Sequence, residues 1–196
     1  MYKRQGIIYA IVELSGGRFA SASDDHTIRI WAMESGACLA TLIGHTSTVW
    51  ALAVADDDTL VSGGEDRTLR VWDTRTYVTV AAIETPSDVI TLLLLTDGTL
   101  ASGHGNGVVR LWDWRRRECM GELRGHKRAI RGLMQLPDGR LTSVRLNKTA
   151  RLWDVAARAC VGVIAMPPAS RHWCVTADGE LAVGCKDGAV LVLGFP

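Results

Sequence analysis

Residues 68–72 read TLRVW, and this short stretch decides the fold because it recurs along the chain. Copies end at three other tryptophans: TIRIW at 27–31, VVRLW at 108–112 and TARLW at 149–153. The four tryptophans are separated by 41, 40 and 41 residues, and Leu193 continues the series 40 residues later. Apolar and polar residues alternate within each copy, which predicts a β-strand with two differently solvated faces. A fixed period of this length indicates a repeat architecture.

Other residues stand at fixed distances from each tryptophan. A serine precedes it by ten residues and an aspartate or asparagine by six: Ser21, Ser62, Ser102 and Ser143, then Asp25, Asp66, Asn106 and Asn147. Gly-His pairs follow two of the tryptophans and end fourteen residues later, at His45 and His126. Turn-forming dipeptides precede an apolar strand start at Gly16-Gly17, Asp97-Gly98, Asp138-Gly139 and Asp178-Gly179. Each period therefore predicts four short strands joined by turns.

The combined pattern resembles the WD-repeat family, whose Trp-Asp pair this chain has at Trp72-Asp73, Trp112-Asp113 and Trp153-Asp154. The resemblance extends from Gly6 to about Leu193. It implies an all-β propeller of about five four-stranded antiparallel blades around a central channel. The chain departs from the family pattern at Ala32, which follows a tryptophan, at Thr85-Pro86 in place of Gly-His, and at Pro167-Pro168.

The repeat also sets the expected organisation of the chain. It divides residues 6–196 into five blades, of which the last lacks its fourth strand: 6–45, 46–85, 86–126, 127–168 and 169–196. Rings of this family usually have seven blades, so we expect an incomplete ring. Residues 1–5 match no position of the repeat, and we interpret them as a non-native or unstructured leader.

The resemblance further implies a chain of hydrogen bonds within a blade. In the family the serine hydroxyl accepts from the tryptophan and donates to the histidine, whose other ring nitrogen donates to the turn aspartate. Without that acceptor a buried indole N–H would cost about 1–3 kcal/mol. Blades that lack the histidine are expected to be looser at that edge. Two sets occupy these positions: His45, Ser62, Asp66 and Trp72, and His126, Ser143, Asn147 and Trp153.

The same residues raise two catalytic alternatives. Serine, histidine and aspartate together could form a hydrolase triad, but here the serine is expected to be interior and the trio recurs in separate blades. The glycines of residues 103–107 (GHGNG) invite a phosphate-loop interpretation. They occupy a turn between antiparallel strands, whereas a dinucleotide fingerprint opens a helix. We therefore predict structural roles for both and no enzyme activity.

The cysteines and the overall charge bear on several other functions. Cys38, Cys119 and Cys160 occupy one repeat position in three blades, and Cys174 and Cys185 lack further ligands, so we expect no metal and no cofactor. Small buried filler is the expected role of the cysteines. Unpaired cysteines favour reduced thiols and a cytoplasmic or nuclear protein. The net charge of +1 argues against general attraction to nucleic acid or membranes, and no apolar run is long enough to span a bilayer.

Charged loops are the remaining candidates for a binding site. In a propeller, the loops that lead into a blade and those between its second and third strands share one rim. On this rim the fourth and fifth periods contribute six cations: Lys127, Arg128, Arg145, Lys148, Arg171 and Lys186. The first and second periods contribute Asp24, Asp25, Glu65 and Asp66. Three arginines belong to the opposite rim, in a turn between third and fourth strands: Arg115, Arg116 and Arg117.

The six cations favour a partner that carries negative charge. We predict a non-catalytic scaffold or adaptor that binds other proteins or peptides on this rim. Acidic or phosphorylated peptides are the expected ligands, as in WD-repeat substrate adaptors of ubiquitin ligases. The alternative is an RNA- or chromatin-associated propeller whose cations contact phosphates. A solvated surface accounts for charged turns equally well, and the fold alone does not choose among these readings.

Overall fold

The computed structural model describes residues 6–145, 149–167, 172–185 and 187–194. Within these residues the chain forms nineteen β-strands and no α-helix, and consecutive strands pair antiparallel into five sheets. A helix that could cross a bilayer is therefore absent from the described part of the chain. Residues 1–5, for which we propose a leader, lie outside it.

The five sheets follow one another along the chain. The first contains β1 (Ile8–Leu14), β2 (Arg18–Ser23), β3 (Thr27–Ala32) and β4 (Cys38–Ile43). The second contains β5 (Val49–Asp56), β6 (Thr59–Gly64), β7 (Thr68–Asp73) and β8 (Val78–Glu84). The third contains β9 (Val89–Leu94), β10 (Leu100–His104), β11 (Val109–Asp113) and β12 (Glu118–Leu123). The TLRVW stretch and two of its copies coincide with β3, β7 and β11, the third strands of these sheets.

The fourth and fifth sheets complete the series. The fourth contains β13 (Gly132–Gln135), β14 (Leu141–Arg145), β15 (Thr149–Asp154) and β16 (Ala159–Ala165). The fifth has three described strands: β17 (His172–Val175), β18 (Leu181–Gly184) and β19 (Val190–Leu193). Strand order within each sheet is the order along the chain, so every connection is a simple hairpin.

Tight turns join the strands where the sequence predicts them. Between β1 and β2, Gly16 and Gly17 have φ angles of 70° and 65°. A type I′ hairpin turn requires this left-handed pair, and glycine adopts it without a steric penalty. The three Asp-Gly dipeptides form the corresponding turns of the third, fourth and fifth sheets.

The hydrophobic core lies between neighbouring sheets. Leu14 and Ile30 of the first sheet cluster with Leu60 and Trp72 of the second. Between the second and third sheets, Trp112 packs against Val61 and Val71. Between the third and fourth, Trp153 packs against Val109 and Leu111. Between the fourth and fifth, Leu181 and Val183 pack against Val144 and Ala150. A large aromatic surface is buried at each tryptophan, so each one anchors its sheet to the preceding sheet.

The ring formed by the five sheets is open. Each sheet contacts the next largely through their first strands, but no contact of comparable extent joins the first sheet to the fifth in the part of the chain that the structure describes. Apolar side chains at both ends remain more than half exposed: Ile7, Ile11, Val190 and Val192. The prediction of an all-β propeller with four-stranded antiparallel blades in an incomplete ring is confirmed.

The glycine-rich stretch at residues 103–107 differs in part from its prediction. Strand β10 continues through Gly103 and His104, and only residues 105–107 form the turn. The second strands of the other sheets end at the equivalent position, for example β6 at Gly64 and β14 at Arg145, so this length is a feature of the repeat.

The prediction that the cysteines are buried filler is wrong. Cys119, Cys160 and Cys174 are exposed, Cys38 and Cys185 are half-buried, and all five are free thiols. Cys119 and Cys160 lie in fourth strands, which form the outer edge of their sheets and face solvent. In β17 the neighbouring Trp173, and not Cys174, faces the fourth sheet.

Candidate functional site

The second sheet contains a continuous chain of hydrogen bonds. The indole N–H of Trp72 donates to Ser62 Oγ (2.8 Å), and the Ser62 hydroxyl donates to His45 Nε2 (2.7 Å). The other ring nitrogen of His45, Nδ1, donates to Asp66 Oδ2 (2.8 Å), which also accepts from the backbone N–H of Thr46 (3.0 Å). This chain ties the loop before β5 to the turn between β6 and β7.

Burial controls the protonation of this chain. It lowers the pKa of His45 below its ordinary value, although the Asp66 carboxylate pulls that pKa in the opposite direction. Burial alone would raise the pKa of Asp66, but hydrogen bonds from Thr46, His45 and Thr68 outweigh it and hold the pKa below its ordinary value. At neutral pH a neutral imidazole therefore donates to an ionised carboxylate, which agrees with Nδ1 as the protonated nitrogen.

The fourth sheet repeats the tryptophan–serine and serine–histidine hydrogen bonds of this chain. Trp153 donates its indole N–H to Ser143 Oγ (2.7 Å), and Ser143 donates to His126 Nε2 (2.7 Å). Asn147, which the sequence places at the turn position, lies outside the described residues. Thr149 Oγ1 lies 3.4 Å from His126 Nδ1. Burial, and after it the charge of a nearby arginine, lowers the pKa of His126 to about 4.

The third sheet obtains its histidine from a position that sequence reasoning missed. Thr85-Pro86 replaces the Gly-His pair, yet Trp112 donates to Ser102 Oγ (2.7 Å), and Ser102 donates to His104 Nε2 (2.8 Å). His104 Nδ1 in turn donates to the backbone carbonyl of Ser87 (3.1 Å). Burial lowers the pKa of His104 to about 4. The expectation of a looser edge rested on a missing histidine, and it therefore has no basis in the third sheet.

The serines of these chains are poorly placed for nucleophilic attack. Ser62, Ser102 and Ser143 have 0% exposed surface, and each already accepts a hydrogen bond from a tryptophan. A catalytic serine must reach the substrate and transfer its proton to a base. These hydrogen bonds have a structural role, because each chain connects the loops and strands of one sheet.

Three of the predicted rim cations lie at one end of the fourth sheet. Lys127 and Arg128 are exposed in the loop before β13, and Arg145 is half-buried at the end of β14. Arg145 is close enough to His126 to contribute to the lowering of its pKa. The other three predicted cations lie outside the described residues: Lys148, Arg171 and Lys186.

A fourth cation at this end was missed by sequence reasoning. Arg131 is exposed, and its backbone N–H donates to the Val144 carbonyl (2.8 Å), so it lies beside the end of β14. The only signal in the sequence is its closeness to Arg128. We call the set Lys127, Arg128, Arg131 and Arg145 the basic rim. None of the four forms an ion pair with another described residue.

The loop that carries the basic rim rests on the third sheet. A Cβ atom added at Gly107, in the turn between β10 and β11, would lie 2.6 Å from the His126 carbonyl oxygen and 2.8 Å from that of Arg128. The loop backbone therefore touches this turn, whereas the side chains of Lys127 and Arg128 extend into solvent. Cations that have no counter-ion among the described residues are suited to binding an anion.

Arginines of the turn between β11 and β12 lie near the opposite ends of the strands. The Arg115 guanidinium stacks over the Trp114 ring at 4.2 Å and lies 3.9 Å from Asp56, at the β5–β6 turn. Arg116 is 3.6 Å from Asp113. These partners reduce the charge available to a ligand and place these two arginines away from the basic rim.

The described residues offer no cluster suited to a metal ion. Across residues 6–145, 149–167, 172–185 and 187–194, no three His, Cys, Asp or Glu side chains gather closely enough to be ligands. Cys119 and Cys160, which occupy one repeat position, lie in different sheets.

Comparison with known proteins identifies the repeat. The family model described as WD domain, G-beta repeat matches residues 5–32, 36–73 and 117–154, just over half of the chain. A 65-residue segment is 37% identical to the sterol regulatory element-binding protein cleavage-activating protein of Xenopus laevis, covering 33% of this chain and 5% of that protein. A 44-residue segment is 43% identical to F-box/WD repeat-containing protein 7 of Drosophila melanogaster, covering 22% of this chain and 3% of that protein.

A solved structure has the same fold. The WD40 beta propeller domain of Doa1 superposes with a TM-score of 0.83 at 22% sequence identity, over 100% of this chain and 65% of that one. The likeness covers all five sheets. This chain spans a tenth or less of the length of the curated relatives that it matches.

Proposed function

Because the chain belongs to the WD-repeat family, we propose that it is a non-catalytic scaffold or adaptor that binds segments of partner proteins on its basic rim. One observation carries the proposal: four cations lie at the end of one sheet, and none is paired with a described carboxylate.

The ligand that fits this surface is an acidic or phosphorylated peptide. Hydrogen bonds between a charged donor and a carboxylate or phosphate contribute about 1.5–3 kcal/mol each. Arg128 lies in the loop before β13, and Arg145 lies at the end of β14. A ligand bound at this end of the fourth sheet would be attracted by both charges. A more specific version of this proposal is that the chain is a substrate adaptor of a ubiquitin ligase. The short match to the Drosophila F-box/WD repeat protein supports only its WD-repeat part.

The proposed compartment is the cytoplasm or the nucleus. All five cysteines are free, and three of them are exposed. Exposed free thiols persist most readily in a reducing compartment, where disulfides are rare.

The test compares peptide binding by matched pairs of charge removals. The double variant Arg128→Ala/Arg145→Ala should bind a fluorescent phosphopeptide more than about tenfold more weakly than the parent, measured by fluorescence anisotropy, because each 1.4 kcal/mol is a factor of ten. The control Arg115→Ala/Arg116→Ala removes the same charge from the opposite side and should bind as the parent does. Removal of the exposed Arg128, Arg115 and Arg116 should change the melting temperature little. Arg145 is half-buried, so circular dichroism and thermal melting check that its double variant remains folded.

Two outcomes would contradict this proposal. An equal loss in both variants would mean attraction to net charge rather than a site. Unchanged binding in both would mean that the basic rim is a solvated surface and that any binding site lies elsewhere.

An RNA- or chromatin-associated role is the second candidate, since the same unpaired cations would contact phosphates of a nucleic acid. It predicts binding to random-sequence RNA whose affinity falls steeply with salt. A phosphopeptide preferred over RNA at physiological salt would favour the adaptor role.

A further inference from the structure

Two aromatic side chains form a contact between the first and second sheets that the proposed function does not use. The rings of Tyr9, in β1, and Trp50, in β5, have centroids 4.3 Å apart and planes inclined by 57°. Tyr9 is 41% exposed and Trp50 is partly exposed. The pair therefore presents an accessible aromatic surface where the first strands of two sheets meet.

Both aromatics lie where the strand register is interrupted. Ile8 pairs with Ser23 and Ala10 with Ala22, so Tyr9 is the extra residue of a bulge. Val49 pairs with Gly64 and Ala51 with Gly63, which gives Trp50 the same place in β5. A bulge changes the direction of a side chain and is common beside functional sites.

The effect of the bulge is visible when Tyr9 is compared with Ile11, two residues later. In a regular strand Tyr9 and Ile11 would share one face. Ile11 is 63% exposed, whereas Tyr9 reaches across to the second sheet. The irregularity in β1 thus brings the two rings together.

Backbone hydrogen bonds place an acidic turn beside the segment that leads into each of the two strands. Ile7, two residues before Tyr9, donates its N–H to Asp24 Oδ1 (2.7 Å) and accepts from the Asp24 N–H (3.1 Å). Thr48, two residues before Trp50, accepts from the backbone N–H of Glu65 (2.9 Å). Each ring therefore lies next to a turn that carries an acidic side chain.

The formal charge of this sector is negative. Its turns carry four carboxylates and one exposed arginine, Arg67: the acids are Asp24, Asp25, Glu65 and Asp66. Two of them already have partners, since Asp25 lies 3.9 Å from Arg29 and Asp66 accepts from His45. The corresponding positions of the fourth sheet carry the basic rim. Aromatic rings attract cations through their negative faces, and nearby carboxylates strengthen this preference.

We propose that Tyr9 and Trp50 form a subsite for a cationic side chain, a guanidinium or an ammonium group, of a bound peptide. The subsite is separate from the basic rim, since it lies on other sheets and selects the opposite charge. A ligand segment that carries an arginine or lysine would place that group against the Tyr9 ring, with Asp24 and Glu65 nearby.

The test uses two capped tripeptides titrated into the 196-residue chain by NMR or calorimetry. One is Ala-Arg-Ala, and the other replaces arginine with citrulline, which has nearly the same shape and no charge. The arginine peptide should bind and the citrulline peptide should not. Tyr9→Ala should weaken arginine binding by about threefold to thirtyfold, the range expected from one cation–aromatic contact. Tyr9→Phe, which keeps the ring, should bind as the parent does.

A matched control lies at the same bulge position in the third sheet. Ile90→Ala removes a side chain of β9 without removing an aromatic ring and should leave arginine binding unchanged. Because Tyr9 is partly exposed, Tyr9→Ala should fold as the parent does, and circular dichroism checks this. Equal binding of both tripeptides, unchanged binding by Tyr9→Ala, or no detectable binding of the arginine peptide would each overturn the proposal. Phosphopeptide binding by Arg128→Ala/Arg145→Ala is measured separately, so either proposal can fail alone.

Discussion

At the residue scale, one histidine is supplied from two different places in the repeat. In the second sheet His45 comes from the loop before the first strand, whereas in the third sheet His104 comes from the end of the second strand. The position of His104 corresponds to Gly64, where an added Cβ atom would lie 3.1 Å from His45 Nδ1. In the fourth sheet Arg145 occupies this position beside the loop histidine His126, so a loop histidine does not require glycine there. In the third sheet the loop has no histidine, and His104 supplies the imidazole instead.

Removal of members of the second-sheet chain should reduce stability in a fixed order. Trp72→Ala should cost about 3–5 kcal/mol, as expected for deletion of a large core side chain. His45→Ala should cost about 1–3 kcal/mol, because Ser62 and Asp66 lose a buried hydrogen-bond partner. Urea denaturation followed by tryptophan fluorescence measures both. The exposed His172→Ala provides the control, and a neutral His45→Ala would show that the chain contributes nothing to stability.

Residues whose role follows from local sequence patterns were predicted, whereas residues whose role depends on distant parts of the chain were missed. The strand that ends at Trp72 was predictable because the alternation of apolar and polar residues is a local signal. The Asp-Gly turns of the third, fourth and fifth sheets were predictable for the same reason. His104 was missed because its role depends on what a distant loop lacks. The exposure of Cys119 was missed because strand periodicity does not reveal that a fourth strand has no neighbour on its outer side. The basic rim was predictable in its loops, but Arg131 at its edge was not.

At the element scale, glycines of the second strands determine how closely two sheets approach. Gly63, Gly103 and Gly184 occupy one repeat position in three sheets. A Cβ atom at Gly63 would lie 2.8 Å from the Val89 Cβ, and one at Gly103 would lie 2.8 Å from the Ile130 Cγ2, both at the start of the next sheet. At Gly184 the nearest atom is 3.9 Å away and belongs to the fifth sheet itself.

This difference predicts opposite tolerance at equivalent positions. Gly63→Ala should destabilise the chain by about 1–3 kcal/mol, because the extra methyl group overpacks a buried interface between sheets. Gly184→Ala should change stability by no more than about 0.5 kcal/mol. Thermal or urea unfolding of the two variants makes the comparison directly. Similar losses in both would indicate that the cost arises within a strand rather than between sheets.

At the scale of the whole molecule, buried histidines couple folding to pH. Burial lowers the pKa of His104 and His126 to about 4, from an ordinary value of 6.5. Between these values the unfolded chain binds a proton at each residue and the folded chain does not. Stability from these two histidines is therefore complete above about pH 6.5 and is lost as the pH falls towards 4.

The corresponding measurement is the free energy of unfolding at several pH values between 7 and 4.5. Each of the two histidines should contribute a loss of up to about 3 kcal/mol over the full range. His104→Gln should reduce the slope of stability against pH. Asp66 adds its own loss only at lower pH, because its pKa lies below the ordinary value for a carboxyl group. A slope unchanged by His104→Gln would mean that this histidine is protonated in the folded state.

Because the ring is open, the five sheets differ in how readily they unfold locally. Among the described residues, each sheet is coupled mainly to the one before it and the one after it, so the array behaves as a one-dimensional chain with nearest-neighbour terms. The outer two sheets have one coupling each and fray first, whereas the third retains two couplings until a neighbour is lost. The fourth sheet, which carries the basic rim, is one step from an end. A ligand held there would slow the inward spread of fraying, so that occupancy and local order would rise together.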